Sequence, residues 1–145
     1  MAHYRTAIDS HLAPADAFAY MVSFDNALQW DPSVVATERL TAGPIGVGSA
    51  FRVVSKFAGR EVPLRYEITA MDPDSRVVLE AWNASFGSID TITVVPSGAG
   101  SRVTYDARLV PKGMMRLGDP LLHLVFQRVG RAADASLRVH LNPSA

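Results

Sequence analysis

The sequence predicts an α+β fold: a seven-stranded antiparallel sheet curved around a long C-terminal helix, with two short helices between strands 1 and 2. Three features predict it. From Lys112 to Leu141, apolar residues recur at three- and four-residue steps (Met115, Leu122, Val125, Phe126, Val129, Ala133, Leu137, Leu141), and Gln127, Arg128, Arg131, Asp134 and Arg138 fall on the other side. Most of the chain before that alternates apolar and polar residues with period two, as half-buried strands do. Tight turn signals separate these runs, so strands adjacent in sequence pair antiparallel. A helix from Pro120 to Leu141 is about 33 Å long, and an apolar stripe of that length needs a broad apolar surface to lie on.

His3–His11 is the first strand, with Tyr4, Thr6, Ile8 and Ser10 on one face. Pro14 then opens a helix through Val22, in the first turn where a missing N–H costs nothing. A second short helix, Phe24–Trp30, stops at Asp31-Pro32. Val34–Leu40 is the next strand, followed by a loop carrying Gly43, Pro44, Gly46 and Gly48. Gly48–Phe57 places Phe51, Val53, Ser55 and Phe57 on one face, and Ala58-Gly59 turns into Arg60–Met71, where Leu64, Tyr66 and Ile68 share a side. After the turn Asp72–Ser75 come the strands Arg76–Asn83 and Phe86–Val95. In Arg76–Asn83 both faces carry apolar residues (Val77, Leu79 and Ala81 against Val78, Glu80 and Trp82), which leaves its orientation open. The turn at Pro96–Gly100 leads to Ser101–Val110, with Val103, Tyr105, Ala107 and Leu109 together. Gly118-Asp119-Pro120 predicts a break: Gly118 ends a helical turn, Asp119 caps and Pro120 takes the first helical position. No linker or repeat interrupts the chain, so residues 1–145 read as one domain.

Composition narrows the function classes. Hydrophobic residues make up 48% and charged ones 19%, against disorder. Fourteen basic and fourteen acidic side chains cancel, leaving no global field for nucleic acid or an anionic membrane. The N-terminus lacks the apolar core of a signal peptide, and no apolar run is long enough for stable membrane insertion, so a cytoplasmic protein, monomer or homodimer, is expected. The absence of cysteine excludes disulfides and thiolate chemistry. His3, His11, His123 and His140 lack metal-type spacing, and no nucleophile elbow, P-loop or dinucleotide fingerprint is present, so neither metal nor cofactor is expected.

Several signatures recur in a recognisable order. Pro14-Ala15-Asp16-Ala17-Phe18 follows the first strand, and Phe24-Asp25-Asn26 precedes Trp30-Asp31-Pro32. Gly46-Val47-Gly48-Ser49-Ala50-Phe51 opens a strand; Asp90–Pro96, Gly100–Tyr105 and the terminal helix complete the set. Together they resemble the START-like superfamily (SRPBCC, the Bet v 1-like helix-grip fold), most closely its polyketide cyclase/dehydrase group, over nearly the whole chain. The resemblance implies a cavity between sheet and C-terminal helix. Members bind lipids, sterols, polyketides, plant hormones or quinones, and a few are cyclases or aromatases, so the fold does not choose the function. They share no single catalytic motif, and the pocket Arg, Tyr and Ser of the polyketide aromatases have no aligned signature in this chain.

Asp90 is the most informative polar residue, because alternation with Ile92 and Val94 puts it on the core face. It reads either as an acid/base or ligand anchor with a raised pKa, or, the commoner case, as a structural carboxylate near the sheet end bonded to backbone or to an arginine. Tyr66 and Tyr105 point inward and suit either a ligand carbonyl or an ordinary core. Trp30 lines the cavity entrance or packs the short helix onto the sheet. The expected ligand-binding set is Trp30, Phe51, Val53, Tyr66, Ile68, Asp90, Ile92, Tyr105, Met115, Leu122 and Phe126, with Met114–Phe126 as lid and Ala132–Leu141 as close-packed core. Binding of a small hydrophobic molecule such as a lipid or polyketide is the leading function. The alternative is an aromatase/cyclase-like enzyme using Asp90 with Tyr66 or Tyr105.

Overall fold

The computed structural model describes residues 2–57, 59–112 and 119–142, excepting the side chains of 2, 57 and 119–126. The elements are β1 (Ala2–Ser10), α1 (Pro14–Val22), α2 (Ala27–Trp30), β2 (Val34–Arg39), β3 (Ala50–Phe57), β4 (Arg60–Asp72), β5 (Arg76–Trp82), β6 (Phe86–Ser97), β7 (Gly100–Pro111) and α3 (Asp119–His140). The seven strands form one antiparallel sheet in the order β1-β7-β6-β5-β4-β3-β2, so the chain's first strand closes on its last.

Pro14 sits in the first turn of α1, which buries Ala17, Phe18, Met21 and Val22. The single helix expected over Phe24–Trp30 is instead a 3-10 turn (Phe24–Asn26) followed by the four residues of α2. Ser23 leaves helical geometry (ψ 82°), and the Asn26 side-chain amide donates to the Tyr20 carbonyl at 2.9 Å, which favours a local turn over a continuous helix.

Pairing also settles the orientation of β5. Val77 lies opposite Ile92 and Leu79 opposite Asp90, so Val77, Leu79 and Ala81 point inward and are buried. Glu80 and Trp82 turn outward, where the indole N–H donates to Glu80 at 3.2 Å and Lys112 Nζ lies 5.0 Å above the ring. Between β4 and β5 the register shifts from Ile68↔Leu79 to Ala70↔Val78, a bulge that changes the local alternation after Ile68.

α3 is 22 residues long, close to the helix expected from Pro120 to Leu141. Its C-terminal half is clamped to β1. Leu137 and Leu141 are fully buried, and Ala133 nearly so. Gly130 makes the closest approach: a Cβ there would stand 2.3 Å from the Tyr4 ring. Polar ties run along the same seam, from Gln127 to the His3 carbonyl, from Thr6 to Asp134, and from Ser10 to the Leu141 carbonyl. The expected i,i+4 pair forms, with Arg138 Nε 3.0 Å from Asp134. The break at Gly118 and the turn before it lie outside the described residues. The core joins the inward residues of the sheet to α1, Phe24, Trp30, Ala133, Leu137 and Leu141.

Candidate functional site

Period-two alternation brings Ser88, Asp90, Ile92 and Val94 of β6 to the inner face, beside Tyr105 and Ala107 of β7. Asp90 is 2% exposed. Tyr105 hydroxyl donates to Asp90 Oδ2, Ser88 hydroxyl donates to Oδ1 at 3.0 Å, and Tyr66 hydroxyl donates to Ser88 Oγ at 2.8 Å. Tyr105 reaches Asp90 diagonally, since the residue paired with Asp90 is Ala107, too small to fill the space. Tyr66 reaches Ser88 across β5, which places small Ala81 opposite Ser88. The position and partners given to a structural Asp90, at the sheet end on backbone or an arginine, are corrected. It lies within the 12-residue β6, bonded to two hydroxyls, and no arginine touches it among the described residues.

Burial dominates the electrostatics. It raises Asp90 to about 7 against the lowering effect of the Tyr105 and Ser88 hydrogen bonds, and the charges of Asp31 and Asp106 add to the rise. Burial, then the Asp90 charge, holds Tyr66 and Tyr105 well above the ordinary phenol range, so both stay neutral donors.

A recess of about 50 Å³ opens beside this network. Asp31, Ser33, Ser55, Tyr66, Ser88, Asp90 and Tyr105 give it polar walls, and Leu64, Phe86, Ala107, Leu109 and Val129 apolar ones. Asp31 is the residue the sequence reading missed. It ends α2, where its Oδ1 accepts from the Ser33 backbone N–H at 2.9 Å and the Ser33 hydroxyl at 2.7 Å. Burial raises its pKa while those two bonds lower it. Ser88 was legible but unused: it stands two residues before Asp90, on the same face.

The predicted ligand set divides. Tyr66, Asp90 and Tyr105 converge on the recess. Phe51, Val53, Ile68 and Ile92 are buried in the core and are not on its wall. Trp30 is 1% exposed and packs edge-on against Tyr105 at 5.2 Å and Phe24 at 6.1 Å. Its indole N–H has no acceptor among the described residues. Met115, and the side chains of Leu122 and Phe126, lie outside the described set, as do residues 114–118 of the expected Met114–Phe126 lid and the side chains of its remainder.

Among the described residues no group of three or more His, Cys, Asp or Glu is placed to hold a metal, and no helix is long and apolar enough to cross a membrane. The two carboxyl groups are suited to hydrogen bonding and proton transfer, and the tyrosine hydroxyls to donating hydrogen bonds.

Solved structures share this architecture. A START superfamily protein from Mycobacterium smegmatis matches with TM-score 0.78 and 12% identity over 96% of each chain. A Thermus thermophilus protein matches at 0.75 and 16%, over 94% of this chain and 93% of its own. The Zhui aromatase/cyclase from a Streptomyces species matches at 0.74 and 14%, over 93% and 90%. At these identities the likeness is one of fold. No curated protein matches the chain in sequence. The family described as "Polyketide cyclase / dehydrase and lipid transport" matches residues 1–141. With nearly its whole length covered and its strands, short helices and long terminal helix in the order of the START fold, the chain belongs to the polyketide cyclase/dehydrase and lipid transport family.

Proposed function

We propose that the protein binds a small hydrophobic molecule between the sheet and α3, with the polar end of that molecule in the recess beside Asp90. The observation that carries this is a buried carboxyl that, with its hydroxyl partners, lines a recess opening among the apolar residues of the inner face. Ligand pockets usually hold roughly 300–1,000 Å³, so a recess of about 50 Å³ suits a head group. The apolar body is assigned to the apolar wall of Leu64, Phe86, Ala107, Leu109 and Val129 beside it. The protein acts in the cytoplasm, without membrane insertion, as a monomer or homodimer.

Native mass spectrometry of freshly purified protein, with lipid extracts and aromatic polyketides offered in turn, tests the proposal. A one-to-one adduct that falls about ten-fold in Asp90→Asn and Tyr105→Phe is the expected result. No adduct from any source removes it.

A second reading is an enzyme that cyclises and dehydrates a poly-β-ketone. The position of Asp90 near 7 favours it, because a carboxyl titrating near the working pH both takes and returns a proton. Asp90 would remove a proton from the carbon beside a carbonyl, and a tyrosine hydroxyl would steady the enolate oxygen. Asp90→Asn and Tyr105→Phe should then abolish turnover while leaving the thermal unfolding transition in place. Unchanged turnover in both excludes these residues.

A further inference from the structure

All but one of the hydroxyl protons on the described wall of the recess are already committed. With Asp90 ionised, Tyr66 donates to Ser88, Ser88 and Tyr105 donate to Asp90, and Ser33 donates to Asp31. Of the hydroxyls on the wall only Ser55 makes no hydrogen bond among the described residues. What these groups still offer is lone pairs, on two carboxylates and several hydroxyl oxygens. No lysine, arginine or histidine stands on the described wall, and neither Asp31 nor Asp90 has an ion-pair partner among the described residues. The described wall is rich in acceptors and poor in free donors, which suits a carbonyl less than a group that brings several N–H donors with a positive charge. Tyr66, Phe86 and Tyr105 add aromatic surface, which favours a cation over an anion.

We infer that the recess recognises a protonated amine, the head of a small hydrophobic ammonium compound, held between Asp31 and Asp90. This rests on the binding function proposed above and names the chemistry of the polar end. A cavity needs roughly 10–15 Å³ to hold one water-sized group, so about 50 Å³ admits an ammonium and its first carbon. Among the described residues, the charged and titratable groups around Asp90 are Tyr66 from β4, Tyr105 from β7 and Asp31 after α2, with Asp106 further off on β7. All are neutral or acidic. A bound cation therefore supplies a positive charge that none of the described wall residues carries and lowers the pKa of Asp90, so binding releases a proton from Asp90 to solvent.

Isothermal titration of phenethylamine and of its neutral isostere 2-phenylethanol, at about pH 6 in two buffers of different ionisation enthalpy, tests the assignment. The amine should bind at least about ten-fold tighter than the alcohol. Its heat should change between buffers with the sign of proton release, and the alcohol's should not. Asp31→Asn should cut the ratio of amine to alcohol affinity about ten-fold, and Asp90→Asn should remove the proton release. Equal affinity for the two probes overturns the ammonium assignment and leaves the hydrophobic-binding function standing. A buffer-independent amine heat also overturns it. Binding of neither probe, together with no adduct in native mass spectrometry, removes both.

Discussion

Substituting Asp90→Asn tests the electrostatics of the site without any ligand. Burial moves the Asp90 carboxyl from 3.8 in a free chain to about 7 in the folded protein. At about 1.36 kcal/mol per pH unit, the shift is on the order of 4 kcal/mol. The direction is fixed. Below the unfolded value the carboxyl carries a proton in both states and costs nothing. As pH rises, the unfolded chain gives up its proton while the folded protein keeps it, so stability falls until the folded carboxyl also ionises near 7. Asparagine is neutral throughout. Its carbonyl still accepts from Tyr105 and its amide still reaches Ser88, so the pH-independent cost is about 1 kcal/mol. Urea unfolding followed by circular dichroism from about pH 5 to pH 8, on both proteins, gives the difference in stability as a function of pH. Wild type minus variant should fall by about 2.5 kcal/mol across that range and flatten at the top. A difference that stays level would mean that Asp90 is ionised in the folded protein over the whole range, and the account of a desolvated carboxyl beside the recess would be wrong.

Removing the Tyr105 hydroxyl by Tyr105→Phe takes away a hydrogen bond that lowers the Asp90 pKa, so the carboxyl should titrate above its wild-type value in carbon-detected NMR, with a stability loss of about 1–3 kcal/mol. An unmoved titration would show that the hydroxyl does not engage the carboxylate. Gly130→Ala should destabilise the protein by about 1–3 kcal/mol through the clash with Tyr4, although alanine favours a helix interior by about 1 kcal/mol. Thermal unfolding reads the sign, and a stabilised variant would mean that α3 does not press on β1 at Gly130.

The fold was legible because its two periodicities are local. Alternation in Ser101–Val110 and Arg60–Met71 correctly turned Tyr66, Val103, Tyr105 and Ala107 inward, and the three- and four-residue spacing of Ala133, Leu137 and Leu141 marked the buried stripe of α3. Arg76–Asn83 was not legible: with Val77 and Leu79 on one face and Val78 on the other, periodicity gives no preference, and only pairing with β6 chose a side. The bulge after Ile68 and the split of Phe24–Trp30 into two pieces likewise answer to packing and turn hydrogen bonds that composition does not encode.

The candidate site divides along the same line. The sequence by itself determined that Asp90, Tyr66 and Tyr105 share the inner face, because a side chain's face in a strand follows from its neighbours two residues away. Tertiary structure alone decided that they form one hydrogen-bonded chain through Ser88, that Asp31 joins them across the recess, and that the described wall carries no cation. Asp31 stands 59 positions before Asp90 and in a different kind of element, so no local period links the two. Their proximity, and the burial that raises the pKa of both, arise from β6 and the end of α2 meeting around the same small space.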